Sequence, residues 1–208
     1  MSHRCFISFK KEDVYYKDLI ANKLKDICVP YNVLDKWIDS ENIDYVIQYI
    51  RDNYMKGTTV TIFIIGQHSS ENEGVDIYGY NRQSFIIREL RATLLDKEGS
   101  PIDGLLGVVL PEMYEKIYGG TYECPHCKQT ISYVNINPST VIKEFANNYY
   151  LEKDDCDHYG ENGRFCVLVK FDDFMKNPIL CIDKAYNKTL EPIAKKVKFK
   201  NIEHVGKY

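Results

Sequence analysis

The sequence has no apolar run near the roughly 18 residues needed to cross a bilayer, so no membrane-spanning helix is expected. No secretory leader is expected either, because Met1-Ser2-His3-Arg4 lacks the apolar core of such a signal. Excess charge is small. Twenty-seven lysines and arginines against 30 aspartates and glutamates leave a formal −3, which gives no electrostatic case for nucleic acid or a membrane surface. Tryptophan occurs once, at Trp37, and there is no internal repeat or low-complexity segment. A cytoplasmic protein is expected, in which the seven cysteines are reduced or metal-bound. The basic stretch Lys195 to Lys207 reads as a solvated terminus.

What is present is a series of short apolar runs bounded by polar residues. Arg4-Cys5-Phe6-Ile7-Ser8-Phe9 breaks at once into Lys10-Lys11-Glu12-Asp13, as a buried strand of a parallel sheet does. Thr59 to Gly66, Leu105 to Leu110 and Phe165 to Phe171 are runs of the same kind, and a weaker one lies near Pro30 to Leu34. Helical patterns separate them. The first spans about Glu12 to Ile27 with Val14, Leu19, Ile20, Leu24 and Ile27 on its apolar face. The second carries Ile43, Val46, Ile47, Ile50 and Tyr54, with Ser40 or Asn42 to cap it and Gly57 to end it. The third covers Ser84 to Asp96 with Ile86, Leu90 and Leu94 inward. A last helix, after a cap at Asp172 or Asp173, covers Pro178 to Asn187 with Ile179, Ile182 and Tyr186 on one face.

These elements predict an α/β fold: a flavodoxin-like, doubly wound, five-stranded parallel sheet of order 2-1-3-4-5, in a single domain over 1–208. The βα rhythm lapses over 112–163, which reads as a Cys/His-containing insertion. Sheets of this class place ligands outside the carboxyl ends of their strands. The crevice between the first and third strands would present Ser8, Phe9 and Lys10 on one side and Gly66, Gln67 and His68 on the other. The Gln67 to Gln83 connection is long for such a fold, as functional loops often are. The third strand ends in Gly66-Gln67, with no aspartate to phosphorylate, which excludes a phosphoacceptor receiver. Glu89, in the first half of the third helix and expected to be half exposed, could stabilise developing positive charge over this crevice or pair with Arg88 or Arg91. The 17 tyrosines fit either surface packing or a polar-aromatic pocket.

Cys124-Pro125-His126-Cys127 forms a second constellation. Lys128 to Asn135 looks extended, which speaks against the thioredoxin-like reading, where a helix should follow. Tyr-x-Cys-Pro-x-Cys instead resembles a zinc knuckle, with Cys156 and His158 as further ligands and Cys166 as a substitute. A structural zinc is expected over a catalytic one, since the cluster lies away from the crevice. His3, His68 and His204 show no partner spacing.

Arg4 to Phe9 followed by Asp13, Lys56 to Gly66, and Phe85-Ile86-Ile87-Arg88-Glu89-Leu90 resemble, in order and spacing, the TIR-like proteins of the bacterial Thoeris anti-phage system. The similarity covers roughly residues 3 to 111, and Asp172 through Tyr186 is similar to the ends of some members. The resemblance implies NAD+ as substrate, cleavage of the nicotinamide–ribose bond at a catalytic Glu89, and a cyclic ADP-ribose-type signal that reaches an effector protein. It also implies a phage component as trigger and self-association. Ser8, Phe9, Trp37, Asp39, Gln67 and Phe85 would bind substrate. Phe85 stands where the family more often has tryptophan. A non-catalytic TIR-like interaction module and a nucleoside deoxyribosyltransferase-like enzyme are the alternatives.

Overall fold

A computed structural model describes residues 3–25, 42–77, 79, 81–97 and 99–198. The elements run β1 (Cys5–Ser8), α1 (Val14–Lys23), α2 (Ile43–Asn53), β2 (Val60–Ile65), α3 (Ser84–Leu94), β3 (Gly104–Val109), α4 (Tyr114–Ile117), β4 (Tyr118–Glu123), β5 (Thr130–Val134), α5 (Lys143–Tyr149), β6 (Val167–Lys170), α6 (Phe171–Lys176) and α7 (Pro178–Lys188). Four strands form one parallel sheet in the order β1-β2-β3-β6, and β4 and β5 form a separate antiparallel hairpin. The strand expected near Pro30 to Leu34 lies outside the described residues, as do the Asp35–Ser40 loop and Ile27. Among the described residues no helix is long and apolar enough to cross a membrane.

The sheet is covered on both faces, which is why β1, β2 and β3 are buried at every position. Side chains alternate between two cores. Phe63, Ile65, Leu105 and Val109 pack with Ile86, Leu90, Leu94, Ile142 and Phe145. Ile62, Ile64, Leu106 and Val108 pack with Ile20, Phe174, Ile182 and Ala185. A smaller group joins Phe6 to Val46, Ile47 and Ile50 of α2 and Ala92 of α3. Helices α2, α3 and α5 thus lie on one face, and α1, α6 and α7 on the other. Each buried Ile, Leu or Phe contributes roughly 1.5–3 kcal/mol of transfer free energy, so the apolar alternation is enough to fix the strand faces.

Helix α2 follows the sequence closely. Asn42 Oδ1 accepts from the Tyr45 N–H at 3.0 Å, and Gly57 takes φ +75° just beyond the end. Three expectations need correction. Val14 of α1 is 46% exposed; Ile179 is 51% exposed, and the buried residues of α7 are Pro178, Ile182, Ala185 and Lys188. Asp172 and Asp173 cap nothing; they sit in the first turn of α6, which starts directly from β6, and Asn177 precedes α7. The 112–163 stretch, read from the sequence as an insertion, also contributes to the core. Met113, Ile117, Val134, Ile136, Ile142, Phe145 and Tyr149 belong to the main core, and α5 is the crossover helix between β3 and β6.

Candidate functional site

Ser8 closes β1 and faces Phe63 in the neighbouring strand. Above it stands Glu89, the sixth residue of α3. Ser8 Oγ donates a 2.7 Å hydrogen bond to Glu89 Oε2. Both groups are buried, Ser8 fully and Glu89 with 3% exposure, so the expected half-exposed glutamate is a core residue. Burial pushes its carboxyl up to about 8, and the Ser8 hydroxyl only partly opposes this. At neutral pH Glu89 is therefore mostly protonated in this arrangement. Thr93 Oγ1 donates to the Glu89 carbonyl oxygen at 3.0 Å and lies 2.8 Å from Thr61 Oγ1, so a polar chain links α3 to β2 beneath the glutamate.

A second buried carboxyl lies at the same end of the sheet. Asp13 is 6% exposed, and its Oδ2 has no hydrogen-bond partner. Its pKa rises to about 6, first through burial and then through Glu112 and Glu12, against the opposing pull of His68 and Lys10. Gly66 makes room for it: a Cβ there would fall 2.4 Å from Asp13 Oδ1. In the sequence, Asp13 stood out only as part of the resemblance.

The connection from Gln67 to Gln83 is tied down over this end. Gln83 is fully buried and donates through Nε2 to the His68 carbonyl at 2.7 Å and to the Ser70 carbonyl. Lys10 Nζ donates to the Arg82 carbonyl at 2.8 Å, and the Glu71 N–H reaches the Pro138 carbonyl at 3.0 Å. Beside the loop is a cavity of about 400 Å³ whose walls include Lys10, Asp76, Arg82 and Phe85. Lys10 follows Ser8 by two residues and Phe85 precedes Glu89 by one helical turn, while neither Ser8 nor Glu89 reaches the wall.

The expected binding residues are distributed unevenly. Ser8 meets Glu89, and Phe85 is 39% exposed at the cavity. Gln67 is exposed in a turn. Phe9 is half-buried, packs with the α1 side of the sheet and lies 5.6 Å from Lys17 Nζ. Trp37 and Asp39 lie outside the described residues. Gln83, which fastens the loop, escaped the sequence reading because a buried glutamine in a polar stretch leaves no pattern.

The cysteine cluster assembles as a separate centre. Cys124, Cys127 and Cys156 bring their Sγ atoms within 4.8 Å of one another and could hold a metal ion. The turn after β4 is built for this. The Cys124 N–H bonds to the Gln129 carbonyl at 2.9 Å, the Lys128 N–H bonds to the Cys124 carbonyl at 3.0 Å, and Lys128 takes φ +59°. The Cys127 N–H is the first of the groups that draw the Cys124 thiol down to about 6, with the His126 N–H and His158 acting the same way. Burial and the two neighbouring thiols push Cys156 up to about 11. Cys166 is elsewhere: it belongs to the main core, with Sγ 3.7 Å from the Phe145 carbonyl. His126 is exposed.

No protein-family model matches the chain, and no curated protein is significantly similar to it.

Proposed function

We propose that this protein is a TIR-like enzyme that cleaves the nicotinamide–ribose bond of NAD+ in the cytoplasm as part of anti-phage defence. The observation that carries the reading is the Ser8-bonded Glu89 at the carboxyl end of a parallel sheet, buried one helical turn from Phe85, which lines a cavity whose walls also include Lys10, Glu12, Asp76 and Arg82. The order of the four described strands is the one a flavodoxin-like sheet gives its first, third, fourth and fifth strands. Lys10 and Arg82 suit the pyrophosphate, and Phe85 suits a base or the nicotinamide ring.

Bond cleavage of this kind passes through an oxocarbenium-like transition state. Nicotinamide departs as a neutral molecule, so no general acid is needed, and one carboxylate next to the ribose can supply the stabilisation. Glu89 must be ionised for that task. An incoming cationic pyridinium would favour the ionised form, as a nearby opposite charge does, and so couple substrate arrival to activation. Water attack then gives ADP-ribose, and attack by a hydroxyl of the same molecule gives a cyclic isomer that could serve as a diffusible signal to an effector protein.

The depth of Glu89 favours a second reading, a TIR-like assembly module in which this glutamate is structural. One experiment separates the two. Purified protein and Glu89→Gln are incubated with NAD+, with and without lysate of infected cells, and products are identified by mass spectrometry. Turnover that falls by about 10²–10³ in a folded Glu89→Gln protein supports the enzyme, in line with the loss of one preorganised electrostatic contact. Equal turnover in both proteins would remove Glu89 from the chemistry, and no turnover under any condition favours the module.

The cysteine cluster is proposed to hold one structural zinc ion, because three convergent thiols from two segments match the donor type of such sites and supply three of the four ligands.

A further inference from the structure

We infer that the fourth ligand of this metal is His158, and that the completed Cys3His centre pins the 151–163 segment to the β4–β5 hairpin. The inference rests on the zinc reading of the cysteine cluster. Two of its thiols come from the hairpin turn, and the third, Cys156, comes from a distant loop. Tetrahedral zinc with sulfur at about 2.3 Å sets the sulfurs about 3.8 Å apart, a spacing the present group approaches. One position of the tetrahedron is left over.

His158 is the donor the fold offers nearby, although its ring nitrogens lie outside the 4.8 Å group of the three thiols and the ring must turn to join them. It lies two residues beyond Cys156 in a turn organised by Asp154, whose Oδ1 accepts from the Cys156 and His158 N–H groups, both at 2.9 Å. The Asp154 N–H returns a 2.8 Å bond to the His158 carbonyl, and Asp157 takes φ +67°. The His158 side chain is 7% exposed in a loop whose neighbouring residues are mostly exposed. Its Nδ1 is buried without a hydrogen-bond partner; Asp154 Oδ2 lies 3.4 Å away without hydrogen-bond geometry. Ligation through Nε2, once the ring turns toward the thiols, fixes the proton on Nδ1 and completes the bond to Asp154, the usual second partner of a zinc-bound histidine. Cys166, the alternative donor, is committed to the sheet core.

Between Glu152 and Asp157 no side chain is buried, so apolar contacts cannot offset the entropy of ordering the loop. A four-coordinate ion joining it to the hairpin can.

The test compares full-length wild type with His158→Ala, His158→Cys and Cys166→Ser. Zinc content is measured after purification without chelator, and Co2+ binding is titrated by absorption. We expect about one metal per chain in wild type, with a spectrum of three sulfurs and one nitrogen. Cys166→Ser should match it. His158→Ala should lose more than about tenfold in affinity, and His158→Cys should keep one metal with a four-sulfur spectrum, which also decides the matter if the alanine variant fails to fold. Wild-type affinity and spectrum in His158→Ala, or loss of metal in Cys166→Ser, would overturn the histidine assignment and leave the zinc reading standing. Wild-type protein that takes up no metal, even on reconstitution with zinc, would remove both.

Discussion

Ser8 and Glu89 are 81 residues apart in the chain and share a 2.7 Å hydrogen bond inside the protein. That single contact joins the end of the first strand to the middle of α3, and it is the force that opposes burial in setting the glutamate's proton affinity. Ser8→Ala should therefore raise the Glu89 pKa above about 8. A carboxyl resonance followed by NMR through a pH titration would show it, and an unchanged midpoint would mean that the hydroxyl contributes nothing.

The same group ties stability to pH. Because the folded-state pKa is raised, from 4.5 to about 8, its contribution is fully present below pH 4.5 and is lost as pH rises toward 8. Asp13 behaves alike between 3.8 and about 6. Melting temperature should thus decline from about pH 6 to pH 8 in wild type. In Glu89→Gln that decline should flatten, with a relative gain on the order of 1–3 kcal/mol at pH 8. Parallel curves for the two proteins would refute the assignment.

Arg51 and Asp103 form a buried ion pair at 2.9 Å, exposed by 2% and 1%. Arg51 Nε also donates to Ser100 Oγ at 2.9 Å, and Thr58 Oγ1 donates to the second oxygen of Asp103. Removing one partner strands the other, so Arg51→Met should cost about 3–5 kcal/mol in urea unfolding. Replacing both partners with apolar residues should recover much of that loss.

Gly66 leaves no space for a side chain beside Asp13. Gly66→Ala should destabilise by about 1–3 kcal/mol through overpacking. Adding Asp13→Ala should relieve most of the penalty, with a coupling above about 0.5 kcal/mol in a double-mutant cycle. Additive effects would show that the clash is absorbed elsewhere.

Gln83 anchors the loop to the His68 and Ser70 carbonyls. If this loop gates the proposed NAD+ site, Gln83→Ala should speed turnover by resting protein, and self-association or a phage component should matter less to it. Slower turnover in a folded variant would argue that the closed loop is the active form.

Much of the scaffold was legible because the strands are buried on both faces, so runs such as Val60–Ile65 carry no interruption. Helix α2 was legible for the opposite reason: one face is apolar and the other wet, with Asn42 at the start. Helix α5 was not. It is seven residues long, and its core contacts at Phe145, Ala146 and Tyr149 alternate with polar residues too briefly to declare a period. The burial of Glu89 was also unreadable, since it depends on Ser8 and on a loop whose fastening residue is a polar glutamine. The cysteines of the cluster could be paired from spacing for Cys124 and Cys127, but the exclusion of Cys166 needed the path of β6.

The sheet's connectivity bears on how the chain reaches this state. Cys5 faces Val60, Val60 faces Gly104, and Leu106 faces Val167, so among the described strands of the parallel sheet the facing partners are more than forty residues apart. Closing such loops before any strand contact is rewarded makes folding slow. The β4–β5 hairpin, with Glu123 opposite Thr130, has no such barrier and can form while the chain is still being synthesised. Strand β3 must wait for β6, the last strand among the described residues. A nascent or truncated chain ending before Val167 therefore presents β3 as a bare apolar edge, open to pairing with another copy.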